Sequence, residues 1–291
     1  MTNIWRSHEG ARAVQQQYAR VLDSWPVPHE RLRLPTREGD TFVLAWGAQT
    51  APPLILLQGS GANTAMWLQD ATSWAPHFRI YAVDVIGEPG LSVASRPPLV
   101  PARYAYWLDD VLKGLGLGSV SIMGVSLGGW VALSFATQCP ERVERLVLLC
   151  PSGIGRQRVW PLLKAMPLLF LGARGRRKVM EMIAPQPSGS QRADWGPLGP
   201  LLSLTFKHFR PRRGRIPRFS DDELRELKMP VLLIVGGRDV LLKSEESARR
   251  LERHAVQASV RLLPDVGHVI LHQTQGILDF LRGHPSPQIQ A

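Results

Sequence analysis

The sequence predicts an α/β protein: a mostly parallel central sheet of about eight strands, helices on both of its faces, and a helical cap inserted into the second half. Three observations carry this. Short, nearly all-apolar runs alternate with amphipathic helical patterns, which is how a parallel sheet covered on both faces reads. One run, at 119–123, passes without a linker through Gly124-Val125-Ser126-Leu127-Gly128-Gly129 into a helical pattern at Trp130-Val131-Ala132-Leu133. The alternation then breaks at residue 152, and proline- and glycine-punctuated helical pieces with no obvious strand follow to about residue 220.

In chain order, Val14, Tyr18, Val21, Leu22 and Trp25 recur at helical spacing over 13–25, and Pro26 and Pro28 stop the run. Extended segments near 30–34 and 41–46 are joined by Glu38-Gly39-Asp40 as a hairpin-like turn. Strand-like runs follow at 54–57, 79–84, 119–123, 143–149, 230–235 and 259–263, with the clearest helix at 103–116, where Tyr104, Trp107, Leu108, Val111, Leu112 and Leu115 form one apolar face. Ser220-Asp221-Asp222-Glu223 reads as a helix start with acids in its first turn, leading back to the strand at 230. The expected layout is an N-terminal helical extension (1–28), a core in two pieces (29–154 and 221–285), a basic cap (155–220) and a short tail (286–291).

Composition narrows the class. A hydrophobic fraction of 44% with 20% charged residues is that of an ordinary globular chain, which argues against collagenous, low-complexity or broadly disordered readings. Cys139 and Cys150 make no disulfide framework; as buried or half-buried free thiols they suit a reducing compartment, and no apolar leader precedes residue 14, so a cytoplasmic protein is expected. The most apolar stretch, 161–172, is too short for a membrane span and is interrupted by Lys164 and Pro167. The net charge of +11 is concentrated: residues 155–220 hold fourteen basic residues against Glu181 and Asp194, a net +12, leaving the remainder near −1. Blocks of like charge are most often simply solvated, and no nucleic-acid motif accompanies this one, which argues against nucleic acid and leaves contact of the cap with an anionic membrane surface as a secondary reading.

The junction at 124–129 has a chemical meaning. A sharp strand-to-helix turn holds its central residue in a strained conformation, and its flanking positions must be tiny or strand and helix collide; Gly124, Gly128 and Gly129 meet that demand. The turn lifts the Ser126 hydroxyl clear of the sheet and leaves the Leu127 amide free at a helix N-terminus, able to bind an oxyanion. A serine nucleophile needs a base, and the base an orienting acid, both on loops at the carboxyl ends of strands. Asp239 follows the strand ending in Gly236-Gly237, and His268 follows the strand in SVRLLPDVGH. Asp84 and Asp265 are the alternative acids, Asp239 could instead cap the helix near 244, and His272, four residues beyond His268, could share its helical face. No His/Cys/Asp group has metal-ligand spacing and no G-x-G-x-x-G follows a strand, so no metal and no cofactor are expected.

From residue 29 to 283 the chain resembles the α/β-hydrolase family with a helical lid. The resemblance is carried by the elbow GVSLGG, the aspartate in GGRDVLL, Gly267-His268 after the last strand, and Asp84-Val85-Ile86-Gly87-Glu88-Pro89-Gly90-Leu91-Ser92, which is similar to the family's D-x-x-G-x-G-x-S loop. It implies Ser126 as nucleophile, His268 as general base and then acid, and Asp239 as the residue that fixes the histidine tautomer. The oxyanion loop departs from the pattern: where relatives carry His-Gly, this chain has Gln58-Gly59-Ser60-Gly61. The donor is then the backbone amide of Ser60 beside that of Leu127, with Gln58, Gly59 and Gly61 supporting the loop and the Gln58 amide taking the propping role.

The implied reaction is acyl transfer through an acyl-enzyme on Ser126, with carboxylic ester hydrolysis foremost. A carbon–carbon bond hydrolase, a cofactor-free perhydrolase or haloperoxidase, and an acyltransferase share the triad, and a binding protein on the same scaffold is the reading from another class. The apolar cap stretches Trp160-Pro161-Leu162-Leu163 and Leu168-Leu169-Phe170-Leu171 suit a small-molecule substrate with an apolar acyl or alkyl group, and the basic cap favours one that also carries a carboxylate or phosphate.

Overall fold

Eight strands form one sheet in the order β1-β2-β4-β3-β5-β6-β7-β8 in a computed structural model, which describes residues 4–158, 168, 172–183, 196–212 and 214–284. They are β1 (His29–Leu34), β2 (Thr41–Trp46), β3 (Pro53–Leu57), β4 (Arg79–Val83), β5 (Val120–Val125), β6 (Val143–Leu149), β7 (Val231–Gly236) and β8 (Ala258–Leu263). β2 pairs antiparallel with both β1 and β4, and every other pairing is parallel. This is the mostly parallel α/β sheet that the alternation predicts.

The sheet is covered twice because successive side chains on a strand point to opposite faces. Ile55, Leu57, Ile122, Leu146, Leu148, Leu233 and Val235 enter one apolar cluster, while Leu54, Leu56, Met123, Val147, Leu149, Leu232 and Ile234 enter the other. The first cluster is closed by α3 (Pro101–Gly114) and α4 (Leu127–Ala136), through Tyr104, Trp107, Leu108, Val111, Trp130 and Phe135. The second is closed by α1 (His8–Asp23) and by the helix Thr274–Leu281 near the C-terminus. Residues 1–28 were expected as an extension; within them, Val14, Tyr18, Val21 and Leu22 of α1 are buried in the second cluster with Phe42 and Trp46 of β2.

Helix ends follow local chemistry. α1 starts five residues before the apolar periodicity does, because Ser7 accepts the Gly10 amide at 3.0 Å and Glu9 lies in the first turn. α3 starts two residues early with Pro101 in its first turn, where the missing amide costs nothing. Ser220 and Glu223 form a capping box for the short helix Asp221–Arg225.

Between β6 and β7 the described residues hold the helices Gly172–Ile183 and Leu198–His208, followed by the short Asp221–Arg225. Trp160 to Leu163 and Leu169 to Leu171 lie outside the described residues, so the apolar lining expected from them has no structural account. The flanks of the segment are tied to the core. Arg158 N donates to Leu241 O (2.7 Å), Lys243 N donates to Arg156 O (3.0 Å), and His268 N donates to Ile183 O (2.9 Å). On the exit side, Arg6 N donates to His208 O (2.8 Å) and Arg210 N to Ile4 O (2.9 Å), with Trp5 edge-on to Phe209. Among the described residues, no helix is long and apolar enough to cross a membrane.

Candidate active site

The carboxyl ends of β3, β5, β7 and β8 point the same way, and the loops leaving them carry Ser60, Ser126, Asp239 and His268. Ser126 occupies the turn between β5 and α4 with φ +52°, in the left-handed region that costs a residue with a Cβ. Backbone bonds hold it there: Ser126 N donates to Leu149 O at 2.9 Å, and Ser126 O accepts from Trp130 N at 3.1 Å and Ser152 N at 3.0 Å. The neighbouring glycines are steric necessities. A Cβ on Gly124 would lie 2.5 Å from Gly128 O, one on Gly128 would lie 2.2 Å from Leu57 O, and one on Gly129 would lie 2.8 Å from the Pro151 side chain.

Ser126, His268 and Asp239 converge. His268 Nε2 is 3.0 Å from Ser126 Oγ, and His268 Nδ1 is 2.7 Å from Asp239 Oδ2. The imidazole is almost buried and the aspartate fully so, while Ser126 is half-buried. Asp239 Oδ1 accepts the amides of Leu241 (2.7 Å) and Leu242 (3.0 Å), so the carboxylate closes its own turn rather than capping the helix Ser244–His254.

The alternative residues are accounted for elsewhere. Asp84 is buried and accepts from Tyr18 Oη (3.1 Å), Thr64 N (2.9 Å) and Leu91 N (2.7 Å), which pins its own loop and α1. Asp265 is exposed and paired with Arg238 at 2.5 Å. His272 does not share a helical face with His268: the helix that follows them begins only at Thr274, and His272 is exposed with φ +59°. Spacing of four residues signifies a shared face only inside a helix.

The loop after β3 sits against the serine: a Cβ on Gly59 would be 3.5 Å from Ser126 Cβ. The amides of Ser60 and Leu127 donate to no other group among the described residues. Gln58 is fully buried, and with its amide oriented to suit its neighbours, Nε2 donates to Val83 O (2.6 Å) and Oε1 accepts from Val85 N (2.7 Å). It thereby ties the loop to the end of β4.

Two residues near the site escaped the sequence. Glu88 is fully buried behind the loop, and its Oε2 accepts from Ser60 Oγ (3.0 Å) and Gly61 N (2.8 Å). Its sequence signal was an acid isolated among Val85, Ile86, Gly87, Pro89, Gly90 and Leu91. Cys150 is buried at φ +42°, and its ligand atom with those of Asp239 and His268 lies within 4.8 Å of the others. The chain shows no metal-ligand spacing because these three come from separate loops. Burial, then the Asp239 charge, pushes the thiol pKa well up.

A nucleophile-base-acid line, mounted on this sheet in the order Ser, Asp, His, defines an α/β-fold serine hydrolase arrangement. The family model described as "Alpha/beta hydrolase family" matches residues 54–280, and the chain belongs to that family. It is 31% identical to carboxylesterase YbfK of Bacillus subtilis (strain 168) over 284 residues, 92% of this chain and 93% of that protein. The crystal structure of that carboxylesterase, CesB (YbfK), matches with a TM-score of 0.82 at 30% identity, covering 95% of this chain and all (100%) of the other. Naproxen esterase (carboxylesterase NP) from Bacillus subtilis matches with a TM-score of 0.80 at 25% identity, covering 96% and 98%. The chain is also 27% identical to 2-hydroxy-6-oxo-2,4-heptadienoate hydrolase of Pseudomonas putida, over 82% of this chain and 95% of that protein.

Proposed function

We propose that this protein is a carboxylesterase that cleaves its substrate through an acyl-enzyme on Ser126. The observation that carries the reading is the unbroken line from Ser126 Oγ to His268 Nε2 (3.0 Å) and from His268 Nδ1 to Asp239 Oδ2 (2.7 Å). As the serine oxygen bonds to the ester carbonyl carbon, its proton passes to His268 Nε2, and the imidazolium is stabilised by Asp239. The carbonyl oxygen becomes an oxyanion held by the Ser60 and Leu127 amides, which have no competing acceptor among the described residues. Collapse expels the alkoxide, which takes the proton from His268. Water then attacks the acyl group with the same base, releasing the acid and restoring Ser126.

The carbon–carbon hydrolase, perhydrolase and acyltransferase readings use the same side chains. The 31% identity to carboxylesterase YbfK, against 27% to 2-hydroxy-6-oxo-2,4-heptadienoate hydrolase, favours the ester. We read the substrate as a small molecule with an apolar acyl or alkyl group, residues 155–220 as the cap over it, and the basic excess of that segment as favouring a substrate that also carries a negative charge. Two free cysteines, one buried, fit a cytoplasmic protein.

Aryl esters of graded acyl length, offered to the wild type beside Ser126→Ala, test the reading, together with labelling by a fluorophosphonate located by mass spectrometry. The expected result is label on Ser126 and turnover that the alanine variant loses. Tight ligand retention with no label and no turnover would replace the esterase with a binding protein.

A further inference from the structure

Glu88 and Arg212 form a buried pair that joins the cap segment to the oxyanion loop. Glu88 Oε2 holds the Ser60 hydroxyl and the Gly61 amide, while Arg212 Nε lies 3.4 Å from Glu88 Oε1. Both of these facing atoms are buried and have no hydrogen-bond partner among the described residues, so each has the other as its electrostatic counterpart. We propose that Glu88 is a positioning residue for the oxyanion loop and that Arg212 neutralises it, so that this pair sets the electrostatics of the oxyanion hole. This rests on the acyl-enzyme reading above.

Glu88 is needed because the loop has little packing of its own. Gly61 sits at φ +75° with nothing within 4 Å of where a Cβ would be, and Ser60 is exposed. Bonds to the Ser60 side chain and to the Gly61 amide fix residue 60 through its side chain and through the peptide that follows it. The amide of that residue must meet a developing oxyanion, and a preorganised donor is worth more than one that reorients during the reaction.

A carboxylate in that position also carries a penalty. Negative charge buried directly behind the hole opposes the negative charge that develops in it, in surroundings that screen poorly. Arg212 offsets this. Its side chain is 13% exposed, and it is held by Tyr104 Oη at 2.6 Å and Pro97 O at 3.2 Å. Arg96 approaches from the adjoining loop, its Nε donating to Gly87 O at 3.1 Å, and Tyr104 stays a neutral phenol because burial pushes its pKa up to about 12. Among the described residues, Arg212, Arg96 and Tyr104 are the charged and titratable groups around Glu88. Burial raises the Glu88 carboxyl above its usual range, against the downward pull of the Gly61 amide and the two guanidiniums. Loss of Arg212 would raise it further.

The test compares the wild type, Glu88→Gln, Arg212→Gln and the double variant on 4-nitrophenyl butyrate from about pH 5 to 9. Arg212→Gln should lower kcat by about 10- to 100-fold, less than deletion of an oxyanion donor, with KM changed by less than about threefold. Its deficit should grow with pH as the unpaired Glu88 ionises. Glu88→Gln keeps a neutral acceptor and should lose less. The double variant should fall no further than Glu88→Gln and show no pH-dependent deficit, a non-additivity that a merely structural role would not produce. Arg212→Lys, which keeps the charge, covers the case in which Arg212→Gln does not fold, and it should retain a flat pH ratio to wild type. Losses that simply add, or an Arg212→Gln deficit independent of pH, would overturn the proposal. Ser126→Ala in the same assay separates the two levels. Retained activity there defeats the acyl-enzyme reading, whereas a dead Ser126→Ala beside an unaffected Arg212→Gln defeats this proposal alone.

Discussion

Asp239 divides its two oxygens: Oδ2 faces His268 Nδ1 at 2.7 Å, while Oδ1 accepts the Leu241 and Leu242 amides at 2.7 and 3.0 Å. The two amides are fixed donors, so an asparagine here must turn its oxygen to them and its NH2 to the imidazole. His268 then carries its proton on Nε2 and has no lone pair for the serine proton. Asp239→Asn should therefore leave the unfolding midpoint almost unchanged and lower kcat by about 10⁴-fold, the scale known for such a change in another serine hydrolase. Activity above a tenth of wild type, with the fold intact, would mean that Asp239 does not set the tautomer.

The elbow glycines make a second prediction. A methyl at Gly128 would meet two backbone oxygens, Leu57 O at 2.2 Å and Gln58 O at 2.6 Å, in the segment that leads into the oxyanion loop. Gly128→Ala should cost about 2–3 kcal/mol in denaturant unfolding and reduce turnover more than binding. Gly118 faces open space, and Gly118→Ala should stay within about 0.5 kcal/mol. Equal effects at the two positions would remove the steric account.

Stability should depend on acid through Asp110. Its carboxylate accepts Arg37 Nε (2.7 Å), Nη2 (2.8 Å) and the Arg37 amide (2.9 Å), and these contacts hold its pKa below the ordinary 3.8. A carboxyl depressed in the folded state stabilises above its unfolded pKa and loses that contribution as pH falls through the folded value. The unfolding midpoint of Asp110→Asn should thus lie below wild type by a constant amount between about pH 5 and 7, and the gap should close below about pH 4. The effect should be modest, because Arg37 is exposed. A gap that persists unchanged at the acid end would contradict it.

Much of the fold was legible because its signals are local. The runs at 54–57 and 143–149 became β3 and β6 with at most one residue of difference, since a doubly covered strand must be apolar on both faces. Ser126 was legible because a strand-to-helix turn this tight tolerates only glycine around it, and that demand is written in consecutive residues. Asp239 and His268 were reached through chain order and resemblance. His272 was an alternative only if the segment were helical; the residues around it form a loop, so spacing of four had no geometric meaning there.

By itself, then, the sequence determined the class of fold, the order of its strands along the chain and the turn that raises Ser126, because periodicity and steric exclusion act between near neighbours. Tertiary structure alone decided which groups meet: Glu88 with Ser60, Gly61 and Arg212, and Cys150 with Asp239. The reason is that burial and electrostatic pairing arise between separate segments, Ser60 and Glu88 from different loops and Arg212 from beyond β6, and no local pattern records which distant charge will stand opposite another once water has been excluded.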